Sequence, residues 1–439
     1  MAVVGGIIGS GIFLNPAEVA QRVATGPLTL GAWVLGGMIA VAGAFCYAEL
    51  GHRFPRAGGG YVYLRDAFGG LPAFLYGWVL LFVIATGAMA AVAMTFARYA
   101  LALVGVGPAH AAPVAVGAVV LLSVVNYFGV RPAAWTQNVF TVLKLAALAL
   151  LIVVGLVAGL EAGAAVPPAG AAPPPIAPAG ALATFYALGI ALVPVLFAYG
   201  GWQQTNFIAE ELVDAERTLP RALLMGTGLV VLVYVLANVA YLRVLGPTGL
   251  AASSAPAADV MERAAGRGAR VLISAGIACS TFGFLNLVIL VSPRVYQAMA
   301  ADGVFFPTLA RLHPRWRTPG AAILLQGAWA VGLTLSRRYG QLLDYVVFGD
   351  WIFFGATAAT LFVYRARHGA PGAFRTPLWP LTPLLFIGAA VYVVISSVAS
   401  APRNAAIGAG LLLAGVPAFF VWRRLGRRRE AGGGSGPAA

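Results

Sequence analysis

Lysine is nearly missing from this 439-residue chain: Lys144 is the one lysine among 28 basic residues. Charge of either sign is scarce, with 14 acids and 10% charged residues against 60% hydrophobic residues and a mean hydropathy of +0.88. So few polar side chains cannot cover a soluble domain of this length, and long unbroken apolar runs make the chain an all-α polytopic membrane protein. Cysteine is limited to Cys46 and Cys279, both within apolar runs, and histidine to His52, His110, His313 and His368, each alone in a loop. Neither set has the spacing of a disulfide framework or a metal site, so no metal and no cofactor is expected. No basic segment precedes the first apolar run and no cleavage site follows it, so no cleavable signal peptide is read. A net charge of +14 in a soluble chain would suggest nucleic acid. Here the arginines sit in short loops between apolar runs and report topology, so no nucleic-acid partner is expected.

What is abundant is apolar sequence in pieces long enough to cross a ~30 Å hydrocarbon core, about 20 residues each. Twelve are read: Ala2–Val19, Leu28–Leu50, Pro72–Val104, Pro113–Val130, Thr136–Leu160, Leu182–Ile208, Ala222–Leu242, Val271–Met299, Ala321–Ser336, Leu342–Tyr364, Pro380–Ala399 and Asn404–Trp422. The ninth is the shortest. With the termini inside, eighteen arginines fall on the cytoplasmic side and nine opposite. Both termini are therefore expected in the cytoplasm, and the protein in the cytoplasmic (inner) membrane as a multi-pass protein. Residues 1–430 read as one transmembrane domain and 431–439 as a disordered tail. Gly51–Gly60 reads as a turn-rich connection and Tyr61–Gly69 as a short interfacial helix with aromatic anchors. Glu161–Ala181, rich in proline, reads as an irregular external connection, Pro220 as the start of the seventh span, and Asp302-Gly303 as a turn.

Two runs carry glycine where a continuous helix tolerates it poorly, each interior Gly costing roughly 1 kcal/mol relative to Ala. They are Gly5-Gly6-Ile7-Ile8-Gly9-Ser10-Gly11 in the first span and Phe197-Ala198-Tyr199-Gly200-Gly201-Trp202 in the sixth. Small residues also serve close packing of unbroken helices. Two interrupted segments in corresponding halves, however, point to helices broken around the site of a secondary transporter. A break exposes N–H groups at one half-helix start and C=O groups at the other's end, which suits a zwitterion. The expected contacts are the N–H groups of Ser10 and Gly11, the Ser10 hydroxyl, and the carbonyls of Ile7, Phe197 and Gly200, with Gly9 in support. Phe197, Tyr199 and Trp202 are candidates for a gate over the cargo or for ordinary core packing. Gln203 and Asn206 belong to a polar run that must face the cavity or its own members. Only eight residues precede Gly9. As helix they reach ~12 Å, so the first half-helix is either short or begins upstream of Met1.

Lys144 lies within the fifth span, where an ammonium is costly and functional unless it snorkels to a cytoplasmic edge. Its expected partners are first-span carbonyls near Gly5 and the side chains of Ser280 or Thr281. Glu49, near Arg53 and Arg56, reads as a structural ion pair. Glu210 and Glu211 read as a solvated loop or as partners of a basic residue elsewhere. No acid is expected near either break: Glu18 lies two turns past the first, and Asp344 and Asp350, in the tenth span, fall outside the expected core site.

The ordered set Gly9-Ser10-Gly11-Ile12-Phe13, Lys144-Leu145, Phe197 to Trp202, Glu210-Glu211, Arg294 with Met299 to Gly303, and Thr318-Pro319 resembles the amino acid-polyamine-organocation superfamily. The likeness is to its sodium-independent L-type amino acid transporter branch, of bacterial type, and covers nearly all of the chain. It implies twelve helices in a 5+5 inverted repeat with helices 1 and 6 discontinuous, halves at about 1–160 and 181–364, and extra helices at about 380–422. It also implies exchange of amino acids by alternating access, substrate contacts at Ile7, Ser10, Gly11, Phe197 and Gly200, a gate at Phe197, and Lys144 in place of a sodium ion. Gln203 stands where animal relatives often have asparagine, which leaves the side-chain preference open. The loop near Gly105–Ala112 has no cysteine. No disulfide-linked heavy subunit is therefore expected, and the protein is expected as a monomer or weak homo-oligomer in lipid.

The function read from this is sodium-independent transport, by exchange, of small or medium neutral L-amino acids. The alternatives are a proton-coupled amino acid symporter, an amine or polyamine uniporter, and, in another class, a non-transporting amino-acid sensor of the same fold. No enzyme is expected, because no nucleophile–base or metal cluster stands out.

Overall fold

The computed structural model describes residues 1–161, 178–336, 339–369 and 374–433. In chain order its helices are α1 (Ala2–Ile7), α2 (Gly11–Val23), α3 (Gly26–Arg53), α4 (Gly60–Phe68), α5 (Gly70–Val79), α6 (Thr86–Leu103), α7 (Ala111–Tyr127) and α8 (Val130–Glu161). They continue with α9 (Ala181–Tyr199), α10 (Ala215–Ala252), α11 (Pro256–Val291), α12 (Pro293–Ala301), α13 (Gly320–Leu335), α14 (Tyr339–His368), α15 (Leu381–Ser400) and α16 (Pro402–Gly433). A π-helical stretch, Leu80–Ala85, joins α5 to α6, and a 3-10 segment, Trp202–Glu211, follows α9. Among the described residues nine helical runs are long and apolar enough to cross a membrane, and α7 and α13 are shorter apolar helices. The proline-rich stretch expected as a loop lies, over 162–177, outside the described residues, as does the tail from 434 onward.

Both glycine-rich stretches interrupt their helices. α1 ends at Ile7 with Ile8 extended, and α2 starts three residues after Ile8 at Gly11. The sixth run, expected as one piece to Ile208, is α-helical only to Tyr199. Gly201, at φ 104°, then takes a conformation that a side chain disfavours, and the chain tightens into the 3-10 segment.

A proline inside a helix leaves the carbonyl four residues back without its usual donor. Three such carbonyls are taken up by side chains of other helices. Pro16 in α2 frees Ile12, whose carbonyl accepts from the Tyr241 hydroxyl of α10 at 3.2 Å. Pro194 in α9 frees Ile190, which accepts from Arg22 of α2 at 2.6 Å. Pro220 frees Glu216, whose oxygen lies 2.9 Å from His52 Nδ1 of α3. Pro220 therefore does not start the seventh span; α10 begins earlier, after Asp214 in a left-handed conformation.

The expected interfacial helix exists as α4, but its tyrosines do not anchor it to lipid. Tyr61 and Tyr63 are buried in the protein: Tyr61 donates to Asp302 at 2.7 Å, and the Tyr63 carbonyl accepts from Tyr364 at 2.8 Å. Burial and the Asp302 carboxylate push the Tyr61 hydroxyl pKa up, which keeps it a donor. Asp302-Gly303 forms the expected turn, with Gly303 at φ 76°. Two apolar cores divide the molecule, and Phe197 packs against both.

Candidate functional site

A helix end exposes backbone groups, and two helix ends brought together expose them to one space. Here α1 packs on the 3-10 segment and α2 on α9. Beside their junction lies a cavity of about 690 Å³, counting its open mouth. Ile7, Ser10, Gly11, Phe197 and Gly200 all line it, together with Gly9 and Gln203. Much of the remaining wall is apolar, from Leu80, Ile84 and Ala85 of the π-helical stretch, Ala88 and Val92 of α6, Phe284 of α11, and Val346 and Val347 of α14.

Glycine allows the two interruptions to touch. A Cβ on Gly201 would lie 2.0 Å from the Gly6 carbonyl oxygen, one on Gly6 would lie 2.8 Å from the Gly201 oxygen, and one on Gly11 would lie 2.7 Å from Ala198 Cα. The glycines that end the helices are thus also the ones that let their backbones approach.

Polar groups at the junction are partly engaged. The Ile7 carbonyl accepts from Gly9 N–H at 2.9 Å and from the Tyr234 hydroxyl at 3.2 Å. The Phe197 carbonyl accepts from Gly200 N–H at 3.2 Å, and Gly201 N–H donates to Gln203 Oε1 at 3.0 Å. Ser10 precedes α2 without capping it through its hydroxyl, and the first N–H groups of α2 have no carbonyl within their own helix. Gln204 also lines the cavity, and its Oε1 is shielded without a partner.

Lys144 is fully buried and does not snorkel. Its Nζ donates to the Gly5 carbonyl at 3.1 Å and to the Ile8 carbonyl at 2.6 Å, carbonyls left at the end of α1. A positive charge there also faces the negative end of the helix dipole. The Ser280 hydroxyl approaches the Ile8 and Gly9 carbonyls at 3.4 and 3.5 Å. Thr281 bonds back to Ile277 and Ala278 of its own helix instead.

The aromatic candidates separate. Phe197 faces the cavity, whereas Tyr199 and Trp202 are packed behind it. Tyr199 stands edge-on to Trp33 and donates to the Trp33 carbonyl at 3.1 Å; Trp202 stands edge-on to Tyr47, 4.9 Å between centroids. Asn206 is buried away from the cavity and donates to the Tyr47 carbonyl and the Tyr63 hydroxyl.

A further expectation is overturned here. Asp350, placed outside the core site by the sequence reading, lines the same cavity as both interruptions, because α14 crosses its wall. Tyr234 and Tyr241 were also missed, though one donates on each side of the first interruption. The ion pairs at the chain's charged loops are specific. Glu49, fully buried, is held by Arg53 and, through two bonds of 2.9 and 2.5 Å, by Arg365 of α14 rather than by Arg56. Glu211 pairs with Arg294 at 2.8 Å.

The described residues contain no group of three or more His, Cys, Asp or Glu that could hold a metal ion, and Cys46 and Cys279 are free. Residues 1–420 match the Amino acid permease family. The human Large neutral amino acids transporter small subunit 2 is 35% identical over 431 residues, 95% of this chain and 78% of that protein. The mouse Asc-type amino acid transporter 1 is 34% identical over 96% of this chain and 80% of its own, and the mouse b(0,+)-type amino acid transporter 1 is 32% identical over 91% and 81%. A family match over nearly the whole length and relatives of 32–35% identity that cover more than nine-tenths of this chain lead to one conclusion: the chain belongs to the amino acid permeases of the amino acid-polyamine-organocation superfamily, proteins that carry amino acids across a membrane rather than enzymes.

Proposed function

We propose that the protein exchanges L-amino acids across the cytoplasmic membrane without sodium, by alternating access. The observation that carries this reading is the meeting of two glycine interruptions, distant in sequence, at one cavity, with the Lys144 ammonium on carbonyls of the first. In this mechanism the N–H groups of Ser10 and Gly11 receive the α-carboxylate, and the carbonyls of Ile7, Phe197 and Gly200 receive the α-ammonium. At Ile7 the ammonium displaces the Tyr234 hydroxyl, since that carbonyl already accepts two hydrogen bonds. Phe197, between both apolar cores, swings as the gate, and Tyr199 and Trp202 back it. Lys144 takes the place that a sodium ion would occupy.

The nine long helical runs, the two shorter apolar helices and the split first span make up twelve spans, read as a 5+5 inverted repeat with two extra helices and both termini in the cytoplasm. The apolar wall suits small or medium neutral side chains. Asp350 is the observation that favours a second reading, cargo with an additional amine. One relative is named a small subunit; this chain lacks a cysteine in the loop at 105–112 and is read as working without a disulfide-linked partner.

The test is uptake of radiolabelled amino acids into liposomes holding the purified protein, with and without internal amino acid, a sodium gradient or a proton gradient. Uptake that needs internal amino acid supports exchange. Strict dependence on sodium removes the role given to Lys144, dependence on a proton gradient favours symport, and binding without movement identifies a sensor.

A further inference from the structure

Asp350 is the one ionisable side chain in the wall of the cavity. Seven other acids, Glu18, Glu49, Asp66, Glu211, Asp259, Glu262 and Asp302, each have an arginine partner. Asp350 has none among the described residues, and its Oδ1 is shielded from solvent without a hydrogen bond. A carboxylate with one oxygen shielded and unpartnered is stabilised by a cation or a proton. Lys144 is committed to the Gly5 and Ile8 carbonyls. A proton on Asp350 meets that need while the cavity is empty, by removing the charge. A cation carried in with the cargo satisfies it.

The position fits that role. The two interruptions present backbone donors and acceptors to the cavity, suited to the part common to all amino acids, and α14 contributes Asp350 with Val346 and Val347 to the same wall. An aliphatic stem can lie on the valines and place its end at the carboxylate.

We propose that Asp350 pairs with a positive group on the side chain of the cargo, so that L-amino acids with a basic side chain are preferred over apolar isosteres. This rests on the transport reading above and shifts its cargo from neutral to basic.

The test compares L-ornithine and L-lysine with L-norvaline and L-norleucine, which keep the aliphatic stem and lack the ammonium. Each competes for exchange of a labelled amino acid in liposomes, and each is tested for its shift of the melting temperature of the purified protein in detergent. In the wild type the basic pair is expected to bind about ten-fold or more tighter than the apolar pair, the value of one hydrogen bond to a charged group. D350N should weaken the basic pair by roughly ten- to a hundred-fold and leave the apolar pair nearly unchanged, and D350E should keep the wild-type order. A wild type that prefers the apolar pair, or a D350N variant that weakens all four alike, overturns the proposal. If D350N does not fold, the wild-type preference alone decides. Melting shifts with the basic pair but no uptake of any amino acid would remove the transport reading and leave Asp350 as assigned. Uptake of neutral amino acids with no response to the basic pair would do the reverse.

Discussion

Replacing Lys144 by Ala removes the charge that organises the first interruption. Its Nζ makes two hydrogen bonds, at 3.1 Å to the Gly5 carbonyl and 2.6 Å to the Ile8 carbonyl. Bonds to a charged group contribute about 1.5–3 kcal/mol each, or about 3–6 kcal/mol together. The cost of burying the ammonium offsets much of that, because taking an ion out of water costs several kcal/mol. Global stability should therefore change little, by about 2 kcal/mol or less, or a few degrees in Tm for a chain of this size. Local order is another matter: the Ile8 carbonyl would keep only the Ser280 hydroxyl at 3.4 Å, and the Gly5 carbonyl would lose its charged partner. If about 3 kcal/mol of that ordering is needed at the slow step, exchange falls roughly a hundred-fold. The assay is the initial rate of amino acid exchange in sodium-free liposomes, with melting of the same preparation as control. Lys144→Met, which keeps the stem without the charge, should behave as the Ala variant does. Sodium should restore part of the rate in Lys144→Ala, since the Gly5, Ile8 and Ser280 oxygens then form a cation-seeking set. Wild-type rates for both variants in sodium-free buffer, with unchanged melting, would refute the reasoning.

Gly201→Ala should abolish folded protein on size-exclusion chromatography, because its Cβ would lie 2.0 Å from the Gly6 oxygen and its φ is 104°; Gly228→Ala, with open space around it, should elute as the wild type does. Glu49→Gln should cost about 3–5 kcal/mol, since it leaves Arg365 and Arg53 without their buried counter-charge, and an unchanged Tm would show that the pair is not structural. Tyr234→Phe removes the hydroxyl on the Ile7 carbonyl and should cost only ~1 kcal/mol of stability. It should lower the KM for exchange if the cargo ammonium competes for that carbonyl, so an unchanged or raised KM would exclude Ile7 as its seat.

The interruptions were legible in the sequence because glycine in an apolar run is a local signal, and helices do end at Ile7 and Tyr199. What those glycines touch was not legible, since Gly6 meets Gly201 only through tertiary packing. Lys144 was found because a lone lysine in a span has no bland explanation except snorkelling, and full burial rules that out. Asp350 carried the same kind of signal, an acid in an apolar run, but was set aside by span number when its position around the helix was unknown. The α4 tyrosines failed for a related reason: aromatic residues in a short helix show that it has an apolar face without showing whether lipid or protein covers it.

The helix interruptions also tie the molecule together. The carbonyl of Ile7 and the proline-freed carbonyl of Ile12, one on each side of the first break, accept from the Tyr234 and Tyr241 hydroxyls of α10. The Gly5 and Ile8 carbonyls accept from the Lys144 ammonium of α8. A neutral hydrogen bond contributes about 0.5–1.5 kcal/mol net and one to a charged group about 1.5–3 kcal/mol. Counted as bonds alone the attachment to α8 is the stronger, but the cost of burying the ammonium offsets much of it, so the two attachments are of similar strength. In the proposed alternating access, the two tyrosine hydroxyls are attachments that can break without uncovering a charge. The glycine contacts, by comparison, are close approaches of backbone to backbone that hold only as long as neither interruption gains a side chain.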